Sequence, residues 1–161
     1  MVGEIGHLPV VAGGPLCECG QQGCLETVAS GTAIARRWPG PRAAATLVAA
    51  AGRGEPEAVA ALDDLGDHLA TAVLLLVMTV DPRVVVLGGG VAEVGAPLLR
   101  AVRAGLARQA QRSALLASLD LGQRVRLVPG NEPVGALGAA LLAGQRWGEE
   151  RDAGLAAGVG T

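Results

Sequence analysis

Three cysteines and one histidine within the first 24 residues carry the clearest chemistry of the sequence: His7, Cys17, Cys19 and Cys24, spaced His7-x9-Cys17-x-Cys19-x4-Cys24. Thiolate sulfur and imidazole nitrogen are borderline-soft donors, and zinc takes four of them in a tetrahedron. One short loop supplies three thiolates only if it folds tightly back on itself. Gly20 and Gly23, between the last two cysteines, permit the positive φ angles that such a fold needs. A Cys3His set fills all four positions and leaves none open for a reacting water, so the expected role is structural. Three free thiols beside an unrelated histidine fit poorly, because inert cysteines belong in apolar surroundings and this loop is polar and rich in glycine. Disulfides fit no better, since three cysteines cannot all pair and a reducing cytosol disfavours the bond.

Around this cluster the chain alternates between loops and strongly patterned segments. Residues 3–11 alternate loosely and predict a strand or extended arm, and residues 12–24 predict a loop. A helix is expected over residues 25–37 with a break at Ser30-Gly31, then Pro39 and Pro41, then a short helix over 42–51. After Gly54-Glu55-Pro56, the residues Ala58, Leu62, Leu65, Leu69, Val73, Leu76 and Val80 recur at helical steps and define one face of a long helix. Asp63, Asp64, Asp67 and His68 fall on its other faces. Its second half, residues 73–80, is apolar all round and is expected to be buried. Asp81-Pro82 ends it. The run Val84-Val85-Val86-Leu87 predicts a buried parallel strand, Gly88-Gly89-Gly90 a turn, and Pro97 the start of a helix carrying Leu98, Leu99, Val102 and Leu106. Residues 125–128 predict a second strand and residues 134–145 a last helix, rich in the small residues Gly135, Gly138, Ala139 and Ala140. The order of strands and helices implies an α/β fold with parallel pairing. One body over residues 1–148 and a flexible tail over 149–161 are expected.

Half of the 161 residues are hydrophobic, enough to bury one sizeable core. With no Phe or Tyr and only two Trp, that core must be built from Val, Leu, Ile and Ala. The net charge is −2, and the 13 basic residues, all arginine, are scattered with no patch denser than Arg36-Arg37. Nothing in this pattern gives an electrostatic reason for direct nucleic-acid binding. The amino terminus lacks the charged and apolar regions of a signal peptide. The longest apolar run, residues 69–80, falls short of the roughly 20 residues that span a bilayer. A cytoplasmic protein without membrane contact is expected.

Gly3-Glu4-Ile5-Gly6-His7, followed by Cys17-Glu18-Cys19-Gly20-Gln21-Gln22-Gly23-Cys24-Leu25-Glu26, resembles the signature of the ROK family of repressors, open reading frames and kinases. The likeness continues through Ala29-Ser30-Gly31-Thr32-Ala33, Asp81-Pro82, Leu87-Gly88-Gly89-Gly90-Val91 and the segment 135–143. The cysteine motif is highly specific, whereas the glycine motifs gain weight only from their order. The resemblance implies part of an RNase-H-like, actin-like ATPase lobe with a zinc-binding loop, in a family whose two lobes close over a sugar and ATP. It implies that His7, Cys17, Cys19 and Cys24 hold structural zinc. It implies too that Glu4, His7 and Glu26 contact the hydroxyls of a hexose or hexose derivative, with charge-assisted bonds selecting a hydroxyl pattern. Gly88, Gly89 and Gly90 would contact adenosine. They are not a dinucleotide fingerprint, because the third glycine of that motif would fall on Glu93.

The departures from the family matter equally. Phosphoryl transfer needs a carboxylate base and amide-lined phosphate loops, which in the family precede the zinc motif. These 161 residues hold no Asn-Asp pair and no Gly-Thr-Gly loop. ATP and Mg2+ are therefore implied by the family alone, and no residue here is assigned as catalytic. Asp63, Asp64 and Asp67 are expected as a solvated helix face and Asp81 as a helix stop. The chain is expected to be inactive by itself: a truncated or split product or a misplaced start, with an open sheet edge that promotes association with itself or with a missing amino-terminal half. A sugar-kinase lineage fits the segment 24–31 and the triple glycine better than does the effector half of a ROK repressor. Gly130-Asn131-Glu132-Pro133 departs from the kinase pattern. A bare zinc-stapled interaction domain is the third reading, and none of the three names the sugar.

Overall fold

The computed structural model describes residues 3–128 and 133–157, with side chains as far as residue 145. The chain divides into two units, Met1–Gly130 and Asn131–Thr161. Residues 130–132, in the segment that departs from the kinase pattern, lie outside the described residues.

The first unit is α/β. Its amino-terminal part packs α1 (Leu25–Ala29) and α2 (Gly31–Arg37), separated at Ser30 as the Ser-Gly pair predicts. Ser30 is extended, and its hydroxyl oxygen accepts from the Ala33 amide at 3.1 Å, which caps α2 and leaves the two helices free to take different directions. Next come α3 (Ala43–Gly52) and the long α4 (Pro56–Val80). Pro56 suits the first turn of α4 because its φ is preset and its missing N–H would go unpaired there in any case. Asp81, in the left-handed region at φ 43, ends the helix ahead of Pro82, and the Arg124 guanidinium holds it there by pairing with the carboxylate while donating to the Pro82 carbonyl.

The chain then forms β1 (Val85–Leu87), α5 (Ala96–Ala110), the short α6 (Ala114–Ser118) and α7 (Leu121–Arg124), and β2 (Val125–Leu127). The two strands pair in parallel, with Val85 opposite Val125 and Leu87 opposite Leu127. Helices α4 and α5 form the main packed layer. Gly66 and Gly105 let them approach, since a Cβ on Gly66 would lie 2.6 Å from the Ala101 carbonyl carbon and one on Gly105 2.9 Å from the Ala70 methyl. The core runs through Leu47, Leu65, Val73, Leu98, Val102, Leu106 and Val125, the aliphatic composition that the lack of aromatics demands.

Several expectations are corrected. Residues 3–11 do not form a regular strand: Ile5–His7 is a 3-10 turn, Leu8 beyond it is extended, Pro9 makes one isolated bridge, and Ile5 and Val10 pack onto the core. The end of α4 is not fully buried, because Met78 and Val80 are exposed. Nor is the first strand buried on both faces. Val85 is 7% exposed, but Val86 is 56%, so one face of the sheet packs inward and the other is open among the described residues. Three short elements, α6, α7 and a 3-10 turn over Gly90–Val94, add to those expected.

Among the described residues the second unit contains one helix, α8 (Val134–Ala157), which runs well past residue 145 into the segment expected as a tail. Among the described residues no helix is long and apolar enough to cross a membrane.

Candidate metal centre

The cysteine loop is shaped by backbone hydrogen bonds. The Cys17 amide donates to the Gln21 carbonyl at 2.8 Å and the Gly20 amide to the Cys17 carbonyl at 2.9 Å, closing a knuckle in which Gly20 takes φ +89. Two isolated antiparallel bridges, Leu16 with Gln22 and Pro9 with Cys24, fold the loop back on the segment that follows His7. The amides of Val10 and Val11 both donate to the Gly23 carbonyl, at 2.8 and 3.2 Å. Cys24 then caps α1, its carbonyl accepting from both the amide and the hydroxyl of Thr27, so the metal loop and the helix bearing Glu26 are continuous.

These bonds bring the four predicted ligands together. One donor atom from each of His7, Cys17, Cys19 and Cys24 can be chosen so that all lie within 4.8 Å of one another. His7 Nδ1 is 3.6 Å from Cys17 Sγ, and Cys19 Sγ is 3.6 Å from Cys24 Sγ. A tetrahedral zinc with Zn–S of about 2.3 Å and Zn–N of about 2.05 Å requires edges of about 3.8 Å for S···S and about 3.5 Å for S···N. The two short edges match such an ion and no other exceeds 4.8 Å, so the donor set, mostly soft sulfur, is compatible with zinc.

The thiols differ in their surroundings. Cys19 is exposed, and its pKa is lowered from 9.0 to about 6, first by a hydrogen bond from the Gln21 backbone amide and then by the Gln21 side chain. Cys24 is fully shielded from solvent, and burial pushes its thiol up to about 12, with hydrogen bonds to the other two cysteines adding to the effect. A metal cation offsets that burial by supplying positive charge.

Beside the cluster lies a polar cavity of ≈ 240 Å3, lined by His7, Cys17, Glu18, Glu26, Thr27, Ser30, Thr32 and Arg36 among others. Glu26 Oε2 lies 3.7 Å from His7 Nδ1. His7 thus turns Nδ1 toward the thiols, which leaves Nε2 for a second partner. Glu4 sits ahead of the 3-10 turn, exposed and outside the cavity lining. Gly88–Gly90 lie elsewhere, at the carboxyl end of β1. Gly89 has φ +70, and a Cβ on either Gly89 or Gly90 would meet nothing within 4 Å, so that turn is open on its outer side. Gln21 beside the thiols and Thr32 and Arg36 in the cavity lining were not among the expected site residues. Thr32 and Arg36 are four apart on α2 and so share a face, a signal that was present but not distinctive.

The family model described as ROK family matches residues 1–146. Glucokinases of Halalkalibacterium halodurans and Thermotoga maritima are 34% and 32% identical over 64% and 90% of this chain, covering 37% and 50% of their own lengths. The chain thus spans half or less of the length of these curated relatives. Among solved structures, a ROK glucokinase from Streptomyces griseus in complex with glucose and AMPPNP matches at 30% identity and TM-score 0.56, over 66% of this chain and 41% of that one. A ROK transcriptional regulator homologous to the E. coli MLC protein matches at 28% identity and TM-score 0.57, over 79% of this chain and 34% of that one. A family signature over nearly the whole chain, the convergence of the His and Cys side chains and these likenesses agree: the chain belongs to the ROK family.

Proposed function

We propose that these residues form part of an RNase-H-like lobe that serves ATP-dependent phosphorylation of a hexose such as glucose, contributing the sugar-recognising wall and its zinc staple. One observation carries the reading: four side chains that could hold a metal converge directly beside a polar cavity that His7 and Glu26 also line. Zinc held by His7, Cys17, Cys19 and Cys24 would supply no reaction step. It would fix the loop so that the carboxylate of Glu26 and Nε2 of His7 meet sugar hydroxyls at set positions, since a preorganised polar site loses little entropy on binding. Glu4 would join them from the 3-10 turn. The open turn Gly88–Gly90, at the carboxyl end of a parallel strand, is where α/β sheets bind ligands, and it would take the adenosine side of ATP.

The 161 residues include neither the Asn-Asp pair nor the phosphate loops, so the purified chain should bind sugar without phosphorylating it. Elemental analysis should find one zinc per chain. Calorimetry with glucose, mannose and their N-acetyl forms should show saturable heat for at least one sugar. Formation of sugar phosphate in a coupled ATP assay with this chain alone would overturn the division of labour.

A second reading is the sugar-sensing effector half of a ROK repressor, favoured by the likeness to the MLC-type regulator. The coding sequence upstream of Met1 separates them: a phosphate loop alone supports the kinase, and a helix-turn-helix ahead of it supports the repressor. A zinc-bearing chain that binds no sugar would leave only an interaction domain.

A further inference from the structure

Gln21 lies between Cys19 and Cys24 and belongs to no ligand set. Its side-chain amide nitrogen is 3.2 Å from the His7 carbonyl oxygen and 3.5 Å from Cys19 Sγ. A primary amide carries two N–H donors, so one nitrogen can serve both acceptors. Its backbone carbonyl meanwhile accepts from the Cys17 amide at 2.8 Å. One residue therefore touches three of the four ligand-bearing positions, and it joins the knuckle to a histidine 14 residues earlier in the chain.

We infer that Gln21 is a positioning residue of the metal centre, whose amide clamps His7 to the cysteine knuckle and hydrogen-bonds the Cys19 sulfur. This rests on the metal reading above. Ligands hung on a polar loop have few packing constraints: Cys19 and Gln21 are both exposed, so hydrogen bonds rather than core contacts must orient the sulfur. An N–H donated to a ligating thiolate draws density from its lone pairs and stabilises it as an anion. The bond to the His7 carbonyl limits drift of the one ligand that comes from outside the knuckle. Outer-sphere partners of this kind are typically worth about 10–100-fold in metal affinity.

The test uses the 161-residue chain with Gln21→Ala and Gln21→Met, the second keeping side-chain length while removing both donors. Zinc affinity is read by competition with a chromophoric chelator, and the cobalt-substituted forms are read by their sulfur-to-cobalt charge-transfer band. The expected result is a Kd weaker by about tenfold in both variants, with the band moved to lower energy because the sulfur lone pairs are no longer stabilised. Melting of the zinc-loaded chains checks that the core is intact. A Gln21→Met chain with wild-type Kd and band overturns the inference, and bulk alone then explains any loss in Gln21→Ala. A weakened Kd with an unmoved band also overturns it, because the sulfur is then not the acceptor. Wild-type chain that takes up no zinc fails at an earlier point and removes the metal reading itself.

Discussion

Gly23 and Val11 meet with no room between them: a Cβ on Gly23 would lie 1.8 Å from the Val11 carbonyl oxygen, at a residue whose φ is +74. The close approach excludes any other residue, and the positive φ adds left-handed strain to it. Gly23→Ala should therefore force the two arms of the loop apart, break the paired hydrogen bonds from Val10 and Val11 and pull Cys24 off its position. Zinc affinity should fall by well over tenfold. Gly20→Ala makes the control, since Gly20 also has positive φ, at +89, but a Cβ there meets nothing within 4 Å. It should carry only the left-handed strain of about 1 kcal/mol. Equal zinc affinities for the two variants would show that the close approach does not hold the loop.

The thiols make a second prediction, for the chelator-treated, metal-free chain. Cys19, lowered to about 6, is mostly thiolate at pH 7, whereas Cys24, raised to about 12, is protonated and shielded. Thiolate is the reactive form, so a pulse of iodoacetamide at pH 7 should label Cys19 well ahead of Cys24, as read by peptide mass spectrometry. The signs for stability are opposite. The contribution of Cys19 is present above its ordinary 9.0 and lost as pH falls through about 6, and that of Cys24 is present below 9.0 and lost as pH rises through about 12. Labelling of Cys24 ahead of Cys19 would contradict both assignments.

The convergence of His7, Cys17, Cys19 and Cys24 was legible because residue type and spacing are themselves statements about chemistry, and no tertiary contact had to be guessed. The body of α4 was legible for a related reason, since its apolar residues repeat over 25 residues and the period leaves little ambiguity. Helices α6 and α7, of five and four residues, are too short to show a period at all. The 3-10 turn at Ile5–His7, three residues long, is likewise too short to show a period. Gln21 was invisible for another reason: its role depends on the loop carrying it back to a carbonyl far earlier in the chain.

The glycines of the helices predict opposite outcomes for one substitution. Gly66→Ala would place a methyl 2.6 Å from the Ala101 carbonyl carbon, against backbone that cannot move without shifting α5. Overpacking of this kind typically costs about 1–3 kcal/mol. Gly52, in the last turn of α3, is exposed and a Cβ there meets nothing within 4 Å. Gly52→Ala should stabilise the chain by about 0.5–1 kcal/mol through helix propensity and a less flexible unfolded state. Urea midpoints measured at unchanged slope give both signs, and an unchanged or raised midpoint in Gly66→Ala would contradict the packing described for α4 and α5.

The sheet supplies a similar contrast. Val125 is 0% exposed and lies opposite Val85, so Val125→Ala should cost about 2 kcal/mol. Val86, on the open face, should accept Thr within about 0.5 kcal/mol. If that face instead mediates self-association, Val86→Thr should lower the apparent mass by light scattering while leaving the melting of the dilute chain unchanged. A cost at position 86 equal to that at 125, at a concentration where the chain is monomeric, would show that both faces are covered.

The last prediction concerns the sugar. Glu26 follows Cys24 by two residues on α1, its carboxylate is 3.7 Å from His7 Nδ1, and both line the cavity. Glu26→Gln keeps the shape but weakens the acceptor, turning a charge-assisted bond into a neutral one. Bonds to charged groups are worth about 1.5–3 kcal/mol against about 1 for neutral ones, so sugar affinity should fall by about tenfold. Zinc content should stay at one per chain, because Glu26 is no member of the donor set. Cys17→Ser should behave differently and lose zinc and sugar together, since the loop that aims His7 and Glu26 is no longer stapled. Glu4→Gln discriminates further. Glu4 stands outside the cavity lining, so its loss should be smaller than that at Glu26 if the sugar sits in the cavity as described. A greater loss at Glu4 would move the sugar toward the 3-10 turn, and unchanged affinity in Glu26→Gln would remove that carboxylate from the site.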